Sequence, residues 1–166
     1  MIDITKLSRK YNVSRMRNED ADEILEFCRE NVQYYLYCEA KPTREQVLND
    51  LHLTPPGIGP ESKYYIGFYD GDILAAIMDI IDGYPEEDIA FIGFFMMNAG
   101  LQGKGTGSAI IEEVESYLRS IGTKSIRLAI DKENPQSTHF WAKNGFEVIN
   151  EAERDGHTLL VAEKKI

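Results

Sequence analysis

The sequence predicts an α/β fold, a mixed and mostly antiparallel twisted sheet flanked by helices. Three observations predict it. Residues 63–69, 73–81 and 89–97 are apolar runs of strand length, and Asp70-Gly71 between the first two is a hairpin turn signal. The third run leads through a glycine-rich loop into an amphipathic segment, 109–121, and then into a fourth run, 125–130. If that segment is a crossover helix, the fourth strand runs parallel to the third. Two further helical patterns precede the strands, which supplies helices for both faces of the sheet.

Taken in order, residues 11–17 alternate weakly and predict a first strand. Asn18 offers a helix cap, with Glu19, Asp20, Asp22 and Glu23 loading the first turn. Ile24, Leu25, Phe27, Cys28 and Val32 then recur at helical spacing. Pro42 and Thr43-Arg44-Glu45-Gln46, a capping box, start a second helix that buries Val47, Leu48 and Leu51. Residues 54–60 are a loop by composition, and Gly83-Tyr84-Pro85 ends the strand over 73–81. Ile110, Ile111, Val114, Tyr117 and Leu118 mark one face of the crossover helix, which Gly122 stops. A short helix is expected over 136–144, stopped by Gly145, and a final strand pair over 146–149 and 158–162.

The chain has 166 residues, which predicts one domain over 1–166 with one sizeable core. No apolar run approaches the ~20 residues of a membrane span, and the first residues lack a signal-peptide core. Cys28 and Cys38 suit a reducing compartment, so the cytoplasm is the expected location. A formal net charge of −10 disfavours nucleic acid and anionic membrane as partners. It suits a cationic amine, although solubility alone accounts for it. His52, His139 and His157 are scattered and the cysteines form no CxxC, so no metal site is expected.

The chemistry centres on Gln102, Gly103, Lys104, Gly105, Thr106, Gly107 and Ser108, between a strand and a helix start. That order points backbone N–H groups and the positive end of a helix dipole at one spot, and glycines let a phosphate approach. The P-loop pattern fails because Gly105 follows Lys104, and the dinucleotide fingerprint fails because position 108 is Ser. What remains is Q-x-x-G-x-G. About thirty residues on stands NPQSTHFWAKNGF, 134–146. Together the two blocks resemble the coenzyme A signature and core end of the GNAT superfamily, the acyl-CoA-dependent N-acyltransferases. The resemblance covers residues 63–148 well and residues 1–62 only in layout.

It implies acetyl-CoA as cosubstrate, an amine acceptor and direct attack in a ternary complex. It also implies that the cradle strand and the next parallel strand splay apart to admit the pantetheine arm. Phe95, Met96 and Met97 would line the arm and acetyl group, with the Met97 N–H polarising the thioester carbonyl. Asn134 matches the family residue that hydrogen-bonds the arm, yet a cap for the following helix explains it almost as well. Trp141 stands where many members carry the Tyr that reprotonates the thiolate, and an indole N–H is no proton-transfer acid. His139 is the nearby group that would substitute, against the reading of a surface histidine.

Asp79 interrupts an otherwise apolar strand. A buried carboxylate needs a partner or a cleft, so Asp79 is the candidate to bind or deprotonate the amine, against a solvated strand edge. Asp82 and Tyr84 are weaker candidates for the rim. Tyr34, Tyr35 and Tyr37, with Cys38 and Glu39, lie where the fold usually walls the acceptor, against the plainer reading that one or two are core and the rest exposed. A small-molecule amine or polyamine is favoured, with a peptide N-terminus open. A CoA-binding sensor without turnover is the main alternative, and a nucleotide-binding module the third. A homodimer through the terminal strand pair is the family's habit.

Overall fold

The computed structural model describes residues 1–37 and 41–166. Seven strands form one sheet in the order β1-β2-β3-β4-β5-β7-β6. They are β1 (Asn12–Arg15), β2 (Lys63–Asp70), β3 (Ile73–Asp82), β4 (Ile89–Met97), β5 (Ser125–Asp131), β6 (Glu147–Arg154) and β7 (His157–Lys165). Every neighbouring pair is antiparallel except β4 with β5.

Helices α1 (Ala21–Glu30) and α2 (Arg44–His52) cover one face of the sheet. Ile24, Phe27, Val47 and Leu51 pack there against Tyr65, Ile77 and Met96. Helix α3 (Thr106–Ser120) covers the other face, where Ile110, Ile111, Val114 and Leu118 meet Ile66, Met78, Ile80 and Ile92. Helix α4 (Pro135–Lys143) adds Trp141 to that second core. The predicted face of α3 is the buried one.

Local chemistry starts and stops these elements much as expected. The Thr43 hydroxyl accepts from the Gln46 N–H at 3.2 Å and caps α2. Asn18 does not cap α1. Residues Asn18–Asp20 form a 3-10 turn in which the Asp20 carboxylate accepts from the Arg17 N–H at 2.7 Å, and Asn18 turns to His52 instead. Helix α3 begins at Thr106, three residues earlier than the apolar spacing predicts, so the end of the glycine loop is the helix's own first turn. The final strand pair is longer than predicted because β6 is exposed throughout and carries little apolar pattern.

Two features of β4 position everything that follows. Its pairing with β5 runs only from Ile89 to Ile92, while β4 continues to Met97 and β5 to Asp131. The strands therefore splay. Against β3, Asp79 opposes Phe94 and Ile80 opposes Ile92, which leaves Gly93 as an extra residue, a β-bulge. Side chains alternate along a strand, and the bulge resets the alternation. Ala90, Ile92, Phe95 and Met97 thus face α3, while Phe94 and Met96 face α1 and α2.

Gly105 sits at φ +78° as the N-cap of α3. An L side chain there costs on the order of 1 kcal/mol. Gly105→Ala is expected to lose about that much stability in urea unfolding, with helical content unchanged.

Candidate active site

Beneath the splay lies a cavity of about 560 Å³, and around it gather most of the predicted cofactor residues. Phe95, Met96, Met97, Gln102, Gly103, Gly105, Gly107, Ser108 and Asn134 line it, as do His139 and Trp141. Lys104 and Thr106 do not. Lys104 is exposed and its Nζ donates to the Gly100 carbonyl at 2.9 Å.

The cradle has the donors that a pyrophosphate needs. The first N–H groups of a helix have no partner inside it, and Gly105, the N-cap of α3, has no side chain to cap them. Gly103 and Gly105, both at positive φ, have open space where a Cβ would stand. A Cβ on Gly107 would come within 3.2 Å of both Met97 and Phe140, so glycine there lets the helix start sit against β4 and α4. Gln102 has a structural task. Its Nε2 donates to Asn31 Oδ1 at 2.6 Å and to the Met97 carbonyl at 3.3 Å, which ties the cradle to α1 and β4. Asn134 caps α4, its Oδ1 accepting from the Ser137 N–H at 3.0 Å, and it also faces the cavity.

The direction of the β4 amides follows from register. The Asn98 N–H donates to the Ala75 carbonyl at 2.8 Å, so Ala76 and Met97 oppose each other without exchanging hydrogen bonds. The N–H groups of Met97 and, two residues back, Phe95 therefore point away from β3 into the splay. Trp141 is 6% exposed and its ring meets Phe95, Phe140 and Phe146 at 6.0, 5.0 and 4.9 Å. His139 is exposed beside it on the cavity wall, away from the second cleft.

That second cleft, about 740 Å³, opens on the opposite face of β4. Tyr34, Tyr35, Tyr37, Tyr84 and Asp79 line it, as predicted, together with Tyr65, Phe91, Gly93 and Phe94. Tyr34 borders both cavities. Asp82 stays outside, its carboxylate 3.2 Å from the N-terminal ammonium of Met1. Cys38 and Glu39 lie outside the described residues.

Asp79 is neither alone nor solvated. Its Oδ2 accepts from Lys63 Nζ at 2.6 Å, with 14% of the Asp79 and 5% of the Lys63 side chain exposed. The Lys63 ammonium also stands 5.7 Å from the centre of the Tyr65 ring. Asp79 Oδ1 is buried and has no hydrogen-bond partner among the described residues. Burial pushes the Asp79 carboxyl above the ordinary range, and Lys63 opposes that rise. A Cβ on Gly93 would lie 2.9 Å from Asp79 Oδ2, so the bulge glycine also makes room for this carboxylate. Burial likewise raises the Tyr65 phenol and the Cys28 thiol, so both stay protonated.

Sequence reading missed Lys63, Tyr65 and Asp50. Lys63 and Tyr65 were legible in principle. The hairpin register pairs Tyr65 with Asp79 and Lys63 with Ile81, which sets the one lysine of β2 diagonal to the one internal carboxylate of β3. Asp50 falls three residues after Val47, one turn along α2, and is exposed where that helix borders the cleft.

A splayed sheet with an uncapped glycine cradle at its mouth is the architecture of a coenzyme A-dependent acyltransferase. The sequence model of the acetyltransferase (GNAT) family matches residues 21–146, and the chain belongs to that family. Acetyl-CoA is accordingly its cosubstrate. Among solved structures, an acetyltransferase from Thermus thermophilus is similar at a TM-score of 0.76 and 20% identity, over 95% of this chain and 97% of that one. The PaiA N-acetyltransferase from Thermoplasma acidophilum, in complex with coenzyme A, gives 0.67 and 18% over 93% and 98%. The ribosomal-protein-S18-alanine N-acetyltransferase from Escherichia coli gives 0.66 and 13% over 93% and 92%. No curated protein matches the chain in sequence. Among the described residues no helix is long and apolar enough to cross a membrane, and no cluster of His, Cys, Asp or Glu would hold a metal ion.

Lys63→Met strips Asp79 of its partner, and losing one member of a buried pair is expected to cost about 3 kcal/mol. The carboxyl that remains is protonated more readily in the folded state than in the unfolded one. Its stability contribution is therefore present at low pH and lost as pH rises through the folded-state value. The deficit in chemical denaturation should be smallest near pH 4 and grow toward pH 7. The double variant Lys63→Met/Asp79→Asn should recover more than half of it.

Proposed function

We propose that this chain, as one acetyltransferase domain acting in the cytoplasm, moves the acetyl group of acetyl-CoA to a primary amine. A small-molecule amine or polyamine is favoured. What supports this most is the arrangement around β4, with Phe95 and Met97 toward one cavity and Gly93 and Phe94 toward the other. Two substrates brought from opposite faces would meet across one strand, which suits direct attack in a ternary complex.

In this reading the N–H groups of Gly107 and Ser108 hold the pyrophosphate, with Gly103 and Gly105 shaping the loop. The outward N–H of Met97 donates to the acetyl carbonyl oxygen as negative charge gathers there. Asp79 orients the amine and takes its proton, directly or through water. Attack forms the C–N bond and breaks the C–S bond, and CoA leaves as a thiolate. A thiol of pKa ~8.5 leaves tolerably without an acid, and His139, which lines the same cavity, is the candidate to protonate it. Tyr34, Tyr35, Tyr37 and Tyr84 wall the acceptor.

A second reading, a CoA-binding sensor without turnover, is favoured by one observation: Trp141 fills the acid's usual position with a buried indole. Thiol release from acetyl-CoA, measured against a panel of polyamines, aminoglycosides, amino acids and short peptides, separates the two. The proposal expects release that depends on one amine class. Silence across the panel, with an acetyl-CoA thermal shift, would favour the sensor. Asp79→Asn should lower kcat/KM by about 10²-fold. Because only the ionised carboxyl accepts a proton and burial raises its pKa, wild-type kcat/KM should rise with pH above the ordinary carboxylate range. Asp79→Asn should lose that limb.

A further inference from the structure

Charges around the acceptor cleft are not evenly committed. Each cation lining it has a partner. Lys63 is paired with Asp79 at 2.6 Å, Arg154 with Asp155 at 3.5 Å, and the His157 ring with Asp131 at 3.1 Å. Asp50, which reaches the cleft from α2, has neither a hydrogen bond nor an ion pair among the described residues. Asp50 is solvent-accessible but sits in a concavity, so desolvation still raises its carboxyl, with Lys63 and Arg154 opposing the rise. It lies near enough to Asp79 for each to feel the same ammonium. Asp50, Asp79 and Lys63 therefore bring two carboxylates to one cation, and among the described residues Asp79 Oδ1 has no hydrogen-bond partner.

The walls suit a cation as well. Tyr34, Tyr35, Tyr65, Tyr84, Phe91 and Phe94 offer ring faces and edges. One of these rings already stands beside an ammonium, Tyr65 beside Lys63. A carboxylate-bearing acceptor such as an amino acid would need a free cation in the cleft, and each one there is engaged. We infer that the acceptor carries two cationic amines, one presented for acetylation near Asp79 and the second held by Asp50. This rests on the acetyltransferase reading and names the substrate class of that same site.

The inference makes Asp50 a specificity residue rather than a catalytic one. It predicts that a second ammonium at the right spacing strengthens binding, and that the gain resides in the Asp50 charge. The test is calorimetric titration of α,ω-diamines with three to six carbons against butylamine, into wild type, Asp50→Asn and Asp50→Glu. Each is run with and without CoA, and circular dichroism confirms that α2 is retained. Wild type should bind the best diamine at least about 10-fold tighter than butylamine, equivalent to about 1.4 kcal/mol. Asp50→Asn should bring that ratio to within about twofold of unity, and Asp50→Glu should restore part of it while shifting the preferred chain length. Equal affinity of wild type for butylamine and every diamine would overturn the inference, as would a ratio that Asp50→Asn leaves unchanged. Thiol release on the same amines keeps the two readings apart. Diamine binding that depends on Asp50 without release would sink the acetyltransferase proposal alone, whereas release with butylamine equal to that with diamines would sink this inference alone.

Discussion

One extra residue in β4 lets a single strand serve two cavities. Without the bulge at Gly93, strict alternation would send Phe94 to the α3 face and turn Phe95 and Met97 to the opposite one. The bulge keeps Ala90 and Ile92 in the α3 core and then reverses the phase, so that Phe94 walls the aromatic cleft and Phe95 walls the splay. Glycine is needed for a second reason at the same point, because a Cβ would enter the space of the Asp79 carboxylate. The splay itself follows from β5 leaving β4 after Leu128 to continue along β7 alone.

The buried Lys63–Asp79 pair is the second constraint. Two charged groups removed from water are expensive, and their mutual attraction returns that cost only when the geometry is good. Here the pair is short but incomplete, since one carboxylate oxygen has no hydrogen bond among the described residues. An apolar pair of the same volume would hold β2 and β3 together at least as well. That such a pair instead sits in the wall of a cleft accords with a role in handling protons or cations, where a raised carboxyl pKa is useful.

Much of this was legible in the sequence, for identifiable reasons. Residues 89–97, the glycine loop and the apolar face of α3 are local patterns with strong physical signatures, and the structure keeps their order. Asp79 was legible as an anomaly, one charge in an apolar strand. Its partner was not, because Lys63 opens a strand, where a charged residue looks ordinary, and only the hairpin register brings the two together. The bulge was illegible because Gly93 in an apolar run reads as a small core residue. Asn18 misled because Asp20 competes for the backbone N–H groups at the same turn. Strand β6 was undersized because, exposed along its whole length, it owes its conformation to pairing with β7 rather than to an alternating pattern.

Central to the account is that the outward amides of β4 and the uncapped start of α3 form one acetyl-CoA site. Titration of ¹⁵N-labelled protein with acetyl-CoA, followed through its backbone amide resonances, tests this most directly. The account predicts that Phe95, Met97 and residues 103–108 shift together and saturate at one concentration, while the β6 amides stay still. Saturable binding that leaves Met97 and residues 103–108 unmoved would contradict it.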